Sequence, residues 1–189
     1  MPEAIRSFMA FDIESELVLK KITDVQNLIA KSGADLKIVE PKNIHITIRF
    51  LGNVTAPMVE KIFEEMKKVQ FIPFDVNIHG VGAFPNLRYP RVLWAGITQG
   101  ADQLRGIFNQ LELRLRSLGF KPDPKGFSPH LTIARVKSGR NKAELVKYIT
   151  ENANYEFGTI RAKCLKLKKS DLTPKGPMYS TLKEFCPQK

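Results

Sequence analysis

The chain has 189 residues, enough for one good-sized core or two intimately packed lobes, and residues 1–189 are expected to form a single two-lobed domain. Its 43% hydrophobic and 26% charged residues are ordinary for a soluble globular protein and exclude a disordered chain, and no apolar run approaches the roughly 20 residues of a membrane span. The formal charge of +11 is unevenly placed: residues 1–72 hold ten basic and ten acidic side chains, whereas residues 160–189 hold eight basic and two acidic, a field that favours phosphate-rich partners.

In chain order, a strand is expected from Ser7 to Phe11, then a helix whose apolar residues Val18, Ile22, Val25 and Ile29 recur at helical spacing and which stops near Gly33. Leu36 to Val39 reads as a short strand. Pro41 breaks the chain before a β-branched run from Ile44 to Leu51. Pro57 opens a second helix through Val69. Phe74 to Ile78 is a strand leading into a Gly- and Pro-punctuated stretch from Gly80 to Pro90, and Arg91 to Ile97 is a strand holding the only tryptophan, Trp94. A third helix carries Leu104, Ile107, Phe108, Leu111, Leu115 and Leu118 on one stripe and ends at Gly119. A loop with Pro122, Pro124, Gly126 and Pro129 delivers the strand from His130 to Val136. A helix from about Lys142 to Asn152 follows, then strands near Tyr155–Phe157, Ile160–Lys168 and Met178–Phe185. Within Arg161 to Lys169 the alternation of charged and apolar residues changes parity, which suggests a bulge. Four helices and about eight strands imply an α+β fold with largely antiparallel pairing.

Two tetrads carry the chemistry: His45-Ile46-Thr47-Ile48 and His130-Leu131-Thr132-Ile133. Residues two apart in a strand share a face, so each tetrad sets an imidazole beside a hydroxyl and turns two apolar residues the other way. One tetrad alone is an ordinary half-solvated strand. Duplicated, each followed by a helix that opens 12 residues after its histidine (Pro57 and Lys142), the pair describes two similar αβ lobes facing each other. Histidine titrates near neutrality, so one ring can take a proton from an attacking water while the other gives one to a leaving oxygen; each role is worth roughly a hundred- to ten-thousand-fold in rate. The threonine hydroxyls can donate to phosphate oxygens as charge gathers there. Neither tetrad has an adjacent carboxylate and two histidines make a poor zinc site, so no metal and no cofactor is expected.

These tetrads, with the first strand SFMAFDI and the segments PKNIHITIRFLGNV, GVGAFPNLRYPRVLWAGI and GFKPDPKGFSPHLTIARV, resemble the two-histidine phosphoesterase superfamily, and within it the RNA 2′,3′-cyclic phosphodiesterases, also called 2′-5′ RNA ligases. The resemblance runs from about Ser7 to the end of the chain. It implies an α+β fold of two lobes whose antiparallel sheets face each other across a central cleft. It also implies hydrolysis of RNA 2′,3′-cyclic phosphate ends, tRNA fragments among the candidate substrates, to 2′-phosphates. His45 would be the proton donor and His130 the acceptor, and the same centre run in reverse would join RNA ends. A basic RNA-end-binding module without turnover is the alternative of a different class.

Around the tetrads, Arg49 shares the face of His45 in a regular strand and is expected at the phosphate, whereas Arg135 has the wrong parity without a bulge. Phe84, Tyr89, Phe127 and Tyr179 are candidates to stack on a base, with Phe84, Phe127 and Tyr179 taken as substrate contacts. Lys125 and Lys137 flank the second tetrad, and Lys125 is taken as a backbone contact. His79 reads as structural and Trp94 as core. The acidic residues Asp12, Glu14 and Glu16 close behind a short apolar stretch do not fit a signal peptide, which makes the cytoplasm the expected compartment. There Cys164 is expected as a small buried hydrophobe, with a Cys164–Cys186 disulfide the minor alternative. A self-contained site requires no more than a monomer.

Overall fold

The computed structural model describes residues 2–188. The chain opens with β1 (Ile5–Asp12) and α1 (Glu16–Ala30), whose N-terminus is capped by the Ser15 hydroxyl accepting from the Val18 N–H at 3.3 Å. β2 (Leu36–Ile38) and a single 3-10 turn (Pro41–Asn43) lead into β3 (His45–Val54). Thr55 caps α2 (Ala56–Met66), with Pro57 in its first turn, where a missing N–H costs nothing. β4 (Phe74–Phe84), β5 (Val92–Ile97) and α3 (Ala101–Ser117) follow, then β6 (His130–Val136) and α4 (Lys142–Glu151). β7 (Glu156–Ala162), β8 (Leu165–Thr173) and β9 (Gly176–Phe185) complete the chain.

The strands form two antiparallel sheets, a four-stranded one in the order β3-β1-β8-β9 and a five-stranded one in the order β2-β6-β5-β4-β7. Each tetrad therefore lies in its own sheet. The α+β expectation holds, but the sheets do not correspond to the two halves of the chain. The first sheet takes two strands from the N-terminal end and two from the C-terminal end. The helices interleave as well: α1, which leaves the first sheet, packs on β7 and β6 beside α4, and α3 packs on β3 beside α2. Core faces are fully closed. Met9, Phe11, Ile46 and Leu167 of the first sheet and Val76, Leu93, Leu131 and Ile133 of the second are at most 1% exposed. Burying each such side chain contributes roughly 1.5–3 kcal/mol. No helix among the described residues is long and apolar enough to cross a membrane.

Three expectations are corrected. β4 does not stop at Ile78 but bulges between Ile78 and Val81 and runs on to Phe84. Gly80 sits in that bulge at φ +82, where a Cβ would lie 2.6 Å from the Ala153 carbonyl, so only glycine fits. The run Ile160–Lys168 is two strands, not one: the parity change marks the crossing at Lys163–Cys164 from the end of β7 in one sheet to the start of β8 in the other. Finally, Cys164 and Cys186 form a disulfide. The pairing of Leu165 with Phe185 places the cysteines side by side at the open end of the β8–β9 hairpin, a juxtaposition that a prior based on compartment cannot see.

Candidate active site

His45 and His130 each begin their strand and are held in the same way. His45 Nδ1 lies 2.7 Å from the Asn43 carbonyl oxygen and His130 Nδ1 lies 2.6 Å from that of Ser128, in both cases two residues back. A carbonyl only accepts, so Nδ1 carries the proton in both rings and Nε2 is left as the free nitrogen. The local sequence sets this up. The 3-10 turn at Pro41–Asn43 aims the first carbonyl, and its Asn43 side chain donates to the Pro177 carbonyl at 3.3 Å, fastening the turn to β9. Thr47 and Thr132 follow on the same faces as their histidines, half-buried between fully buried Ile46, Ile48, Leu131 and Ile133.

Both rings lie against aromatic side chains. Phe8 and Tyr179 approach His45 at 5.0 and 5.2 Å between ring centroids, and Phe84 meets His130 edge-on at 4.9 Å. Burial, joined by the Lys168 ammonium, pulls His45 down to about 4 despite the Asn43 carbonyl and the Asp12 carboxylate, and the charge of His130 adds to the depression. Burial and the Arg135 guanidinium also lower His130, against the pull of the Ser128 carbonyl. The two imidazoles, from different sheets, are thus close enough to feel each other and are both neutral at pH 7 in the free protein.

The strands beyond the tetrads break parity. In the pairing of β1 with β3, Met9 faces Arg49 and Ala10 faces Thr47, so Ile48 is the extra residue of a bulge. β6 repeats this against β5, where Leu93 faces Ala134 and Trp94 faces Thr132, leaving Ile133 extra. On the β2 side of the strand the Ile133 carbonyl accepts from the Val39 N–H at 3.0 Å and from buried Gln26 Nε2 at 2.8 Å. The consequence reverses two expectations. Arg49 turns away from the site into the layer between β3 and α3, where it pairs with Glu112 and donates to the Phe50 and Lys121 carbonyls. Phe50 takes its place on the cleft side, 6.0 Å from Phe8. Arg135, five residues after His130, returns to the cleft side, where its charge acts on His130 and on Tyr179 of the other sheet.

Of the remaining candidates, Phe84 and Tyr179 are brought to the histidines. Phe127 instead stacks on Phe108 of α3 at 5.2 Å and packs against the core. Lys125 stands exposed in the turn before β6, its N–H on Asp123 Oδ1. Tyr89 is exposed with Arg88 and Lys142 at 5.5 Å from its ring. Two features escape sequence reasoning. Asp12, paired in register with His45, accepts from Lys168 at 2.6 Å and Lys166 at 2.9 Å. Burial works to raise its pKa, but the two ammonium hydrogen bonds hold it below the usual carboxylate range. Trp94, read as core, lies on the cleft side opposite Thr132.

The LigT like phosphoesterase family profile matches residues 13–94 and 96–179. An RNA 2′,3′-cyclic phosphodiesterase of Aeropyrum pernix is 40% identical over 164 residues, covering 87% of this chain and 93% of its own. One from Methanocaldococcus jannaschii is 38% identical over 181 residues, 96% of this chain and 100% of its own. Among solved structures, a Thermus thermophilus protein superposes with a TM-score of 0.79 at 25% identity, over 96% of this chain and 97% of that one. Escherichia coli LigT complexed with 3′-AMP has the same fold, with a TM-score of 0.78 at 20% identity over 99% and 100% of the two chains. With matches along nearly the whole length and a histidine–threonine strand in each sheet, the chain belongs to the LigT-like phosphoesterase family.

Proposed function

We propose that this chain is an RNA 2′,3′-cyclic phosphodiesterase that converts the cyclic end to a 2′-phosphate, with His45 and His130 as the acid–base pair and Thr47 and Thr132 as phosphate-oxygen donors. The observation that carries this reading is the matched tautomer of the two rings, each with its Nδ1 proton spent on a backbone carbonyl and its Nε2 free. In the reaction, one Nε2 takes a proton from water as the oxygen attacks phosphorus. The bond from phosphorus to the ribose 3′ oxygen breaks, and the other ring, as imidazolium, gives that oxygen its proton. Rings that are neutral in the free site gain this charge from the substrate, because the phosphodiester anion favours an imidazolium beside it. Arg135 and the threonine hydroxyls hold the non-bridging oxygens, where charge is greatest in the transition state. Tyr179, Phe84 and Phe8 keep water away from the rings.

The test incubates the protein with an oligoribonucleotide ending in a 2′,3′-cyclic phosphate in the presence of EDTA and identifies the product. A 2′-phosphate end is expected, and His45→Ala and His130→Ala should each abolish turnover with the fold intact. A 3′-phosphate product or a strict metal requirement would sink the mechanism, and binding without turnover would leave a binding module. The resemblance gives His45 the donor role. A substrate with sulfur at the 3′ bridging position, which leaves without a proton, should therefore restore activity to His45→Ala and not to His130→Ala.

A further inference from the structure

We propose that Trp94, with Phe84, forms a stacking platform for the nucleobase of the terminal nucleotide, on the side of the cleft that belongs to the five-stranded sheet. The inference deepens the phosphodiesterase reading above and rests on it. Trp94 stands on β5 opposite Thr132, one step along the strand pair from His130, and its neighbours Leu93 and Ala95 take the core side and are fully buried. The core is closed without the indole. What holds the ring is a cleared floor: a Cβ at Gly82, its partner on β4, would lie 2.2 Å from the ring, and one at Gly96, two residues along β5, would lie 3.1 Å from it. An indole that closely over two glycines lies flat along the strands rather than standing between side chains. Its other face is then turned to the cleft, and the residue is partly exposed. Its buried Nε1–H also has no acceptor among the described residues, which is rare for a tryptophan serving only as core.

Phe84 continues the apolar surface, 5.6 Å from the indole and 4.9 Å from the His130 ring, so the platform reaches the catalytic pair. The two sides of the cleft differ in kind. Next to His45 the first sheet presents Asp12, Lys166 and Lys168, a charged floor unsuited to a base. The rings that touch His45 offer no open face in its place, since Phe8 is 2% exposed and Tyr179 stands edge-on to the imidazole, and Phe50 lies beyond Phe8. A cyclic phosphate held between the histidines thus has an open aromatic face for its nucleoside on one side only. Stacking of this kind accepts every base, because each has a π face.

The chain has a single tryptophan, so its fluorescence reports on this position alone. Wild-type protein is titrated with adenosine 2′-monophosphate, uridine 2′-monophosphate, ribose 2-phosphate and inorganic phosphate. Both nucleotides should quench saturably with affinities within a few-fold of each other. Inorganic phosphate and ribose 2-phosphate should compete without quenching. Trp94→Leu should raise KM for a nucleoside 2′,3′-cyclic phosphate roughly ten- to a hundred-fold with kcat little changed, and Trp94→Phe should recover much of the loss. Nucleotides that inhibit turnover without altering the fluorescence, or a folded Trp94→Leu with unchanged KM, would overturn the platform. If instead wild type binds and quenches but turns over no cyclic phosphate, the platform stands and the phosphodiesterase reading fails.

Discussion

Replacing Arg49 by methionine should destabilise the protein by about 3–5 kcal/mol, the usual cost of stranding one partner of a buried ion pair. The Arg49 and Glu112 side chains are only 10% and 11% exposed. The guanidinium also donates to the Phe50 and Lys121 carbonyls, each at 2.6 Å, while the second Glu112 oxygen accepts from the Asp123 N–H at 3.0 Å. In Arg49→Met the Glu112 carboxylate keeps only that last hydrogen bond, in a layer with little water to replace the others. The double variant Arg49→Met/Glu112→Leu removes both charges and fills the space with apolar atoms. It shares the loss at the Phe50 and Lys121 carbonyls with the single variant and exchanges the stranded charge for one unpaired N–H, that of Asp123, at about 1–3 kcal/mol. It should therefore be more stable than the single variant, by about 2 kcal/mol. Urea unfolding of wild type and of the three variants of the cycle measures this directly. Equal losses in the single and double variants would show that the charge of Glu112 is not stranded, and the reasoning would fail.

Gln26→Leu should cost about 1–3 kcal/mol, because Gln26 Nε2 donates at 2.8 Å to the Val39 carbonyl, which leucine leaves without that donor, while the Ile133 carbonyl keeps the Val39 N–H; a thermal melt that matches wild type would refute this. Reducing the Cys164–Cys186 bond, which spans 22 residues, should remove about 3 kcal/mol of stability in denaturant titrations with and without dithiothreitol, and Cys186→Ser should be indifferent to the reductant. His45 is lowered from 6.5 to about 4, so between those values the unfolded chain binds a proton that the folded one refuses. Stability from this group is complete above pH 6.5 and falls by roughly 3 kcal/mol as the pH drops to 4, and His45→Asn should flatten that part of the curve. For the same reason kcat/KM, which reads the free enzyme, should be bell-shaped with its acid limb near pH 4 and its alkaline limb below 6.5 whichever ring is the acid; a flat profile from pH 4 to 8 would remove the two-imidazole mechanism.

The helices and the tetrads were legible because their signals are local. Val18, Ile22, Val25 and Ile29 repeat at helical spacing whatever they pack against, and His45 and Thr47 alternate before any irregularity intervenes. The positions of Arg49 and Arg135 were not legible. Each depends on a bulge just before it, at Ile48 and at Ile133, and a bulge is a property of two strands whose pairing cannot be read from either alone. Trp94 was hidden for a related reason, since its flat seat is made by Gly82, in a stretch that reads as loop, and by Gly96. The Lys166–Asp12–Lys168 cluster joins residues more than 150 positions apart, and only the crossing of the chain back to the first sheet brings them together.

That crossing also orders the life of the molecule in time. During synthesis the five-stranded sheet has all its strands once Ala162 has left the ribosome, so the His130 side of the cleft can form early. The His45 side cannot. Its sheet waits for β8 and β9, whose last residue is Phe185, and until then β1 exposes the edge and the half-site that β8 will cover. The His45 side of the cleft therefore waits for β9, and Cys186, one residue after it, seals the hairpin that completes the sheet.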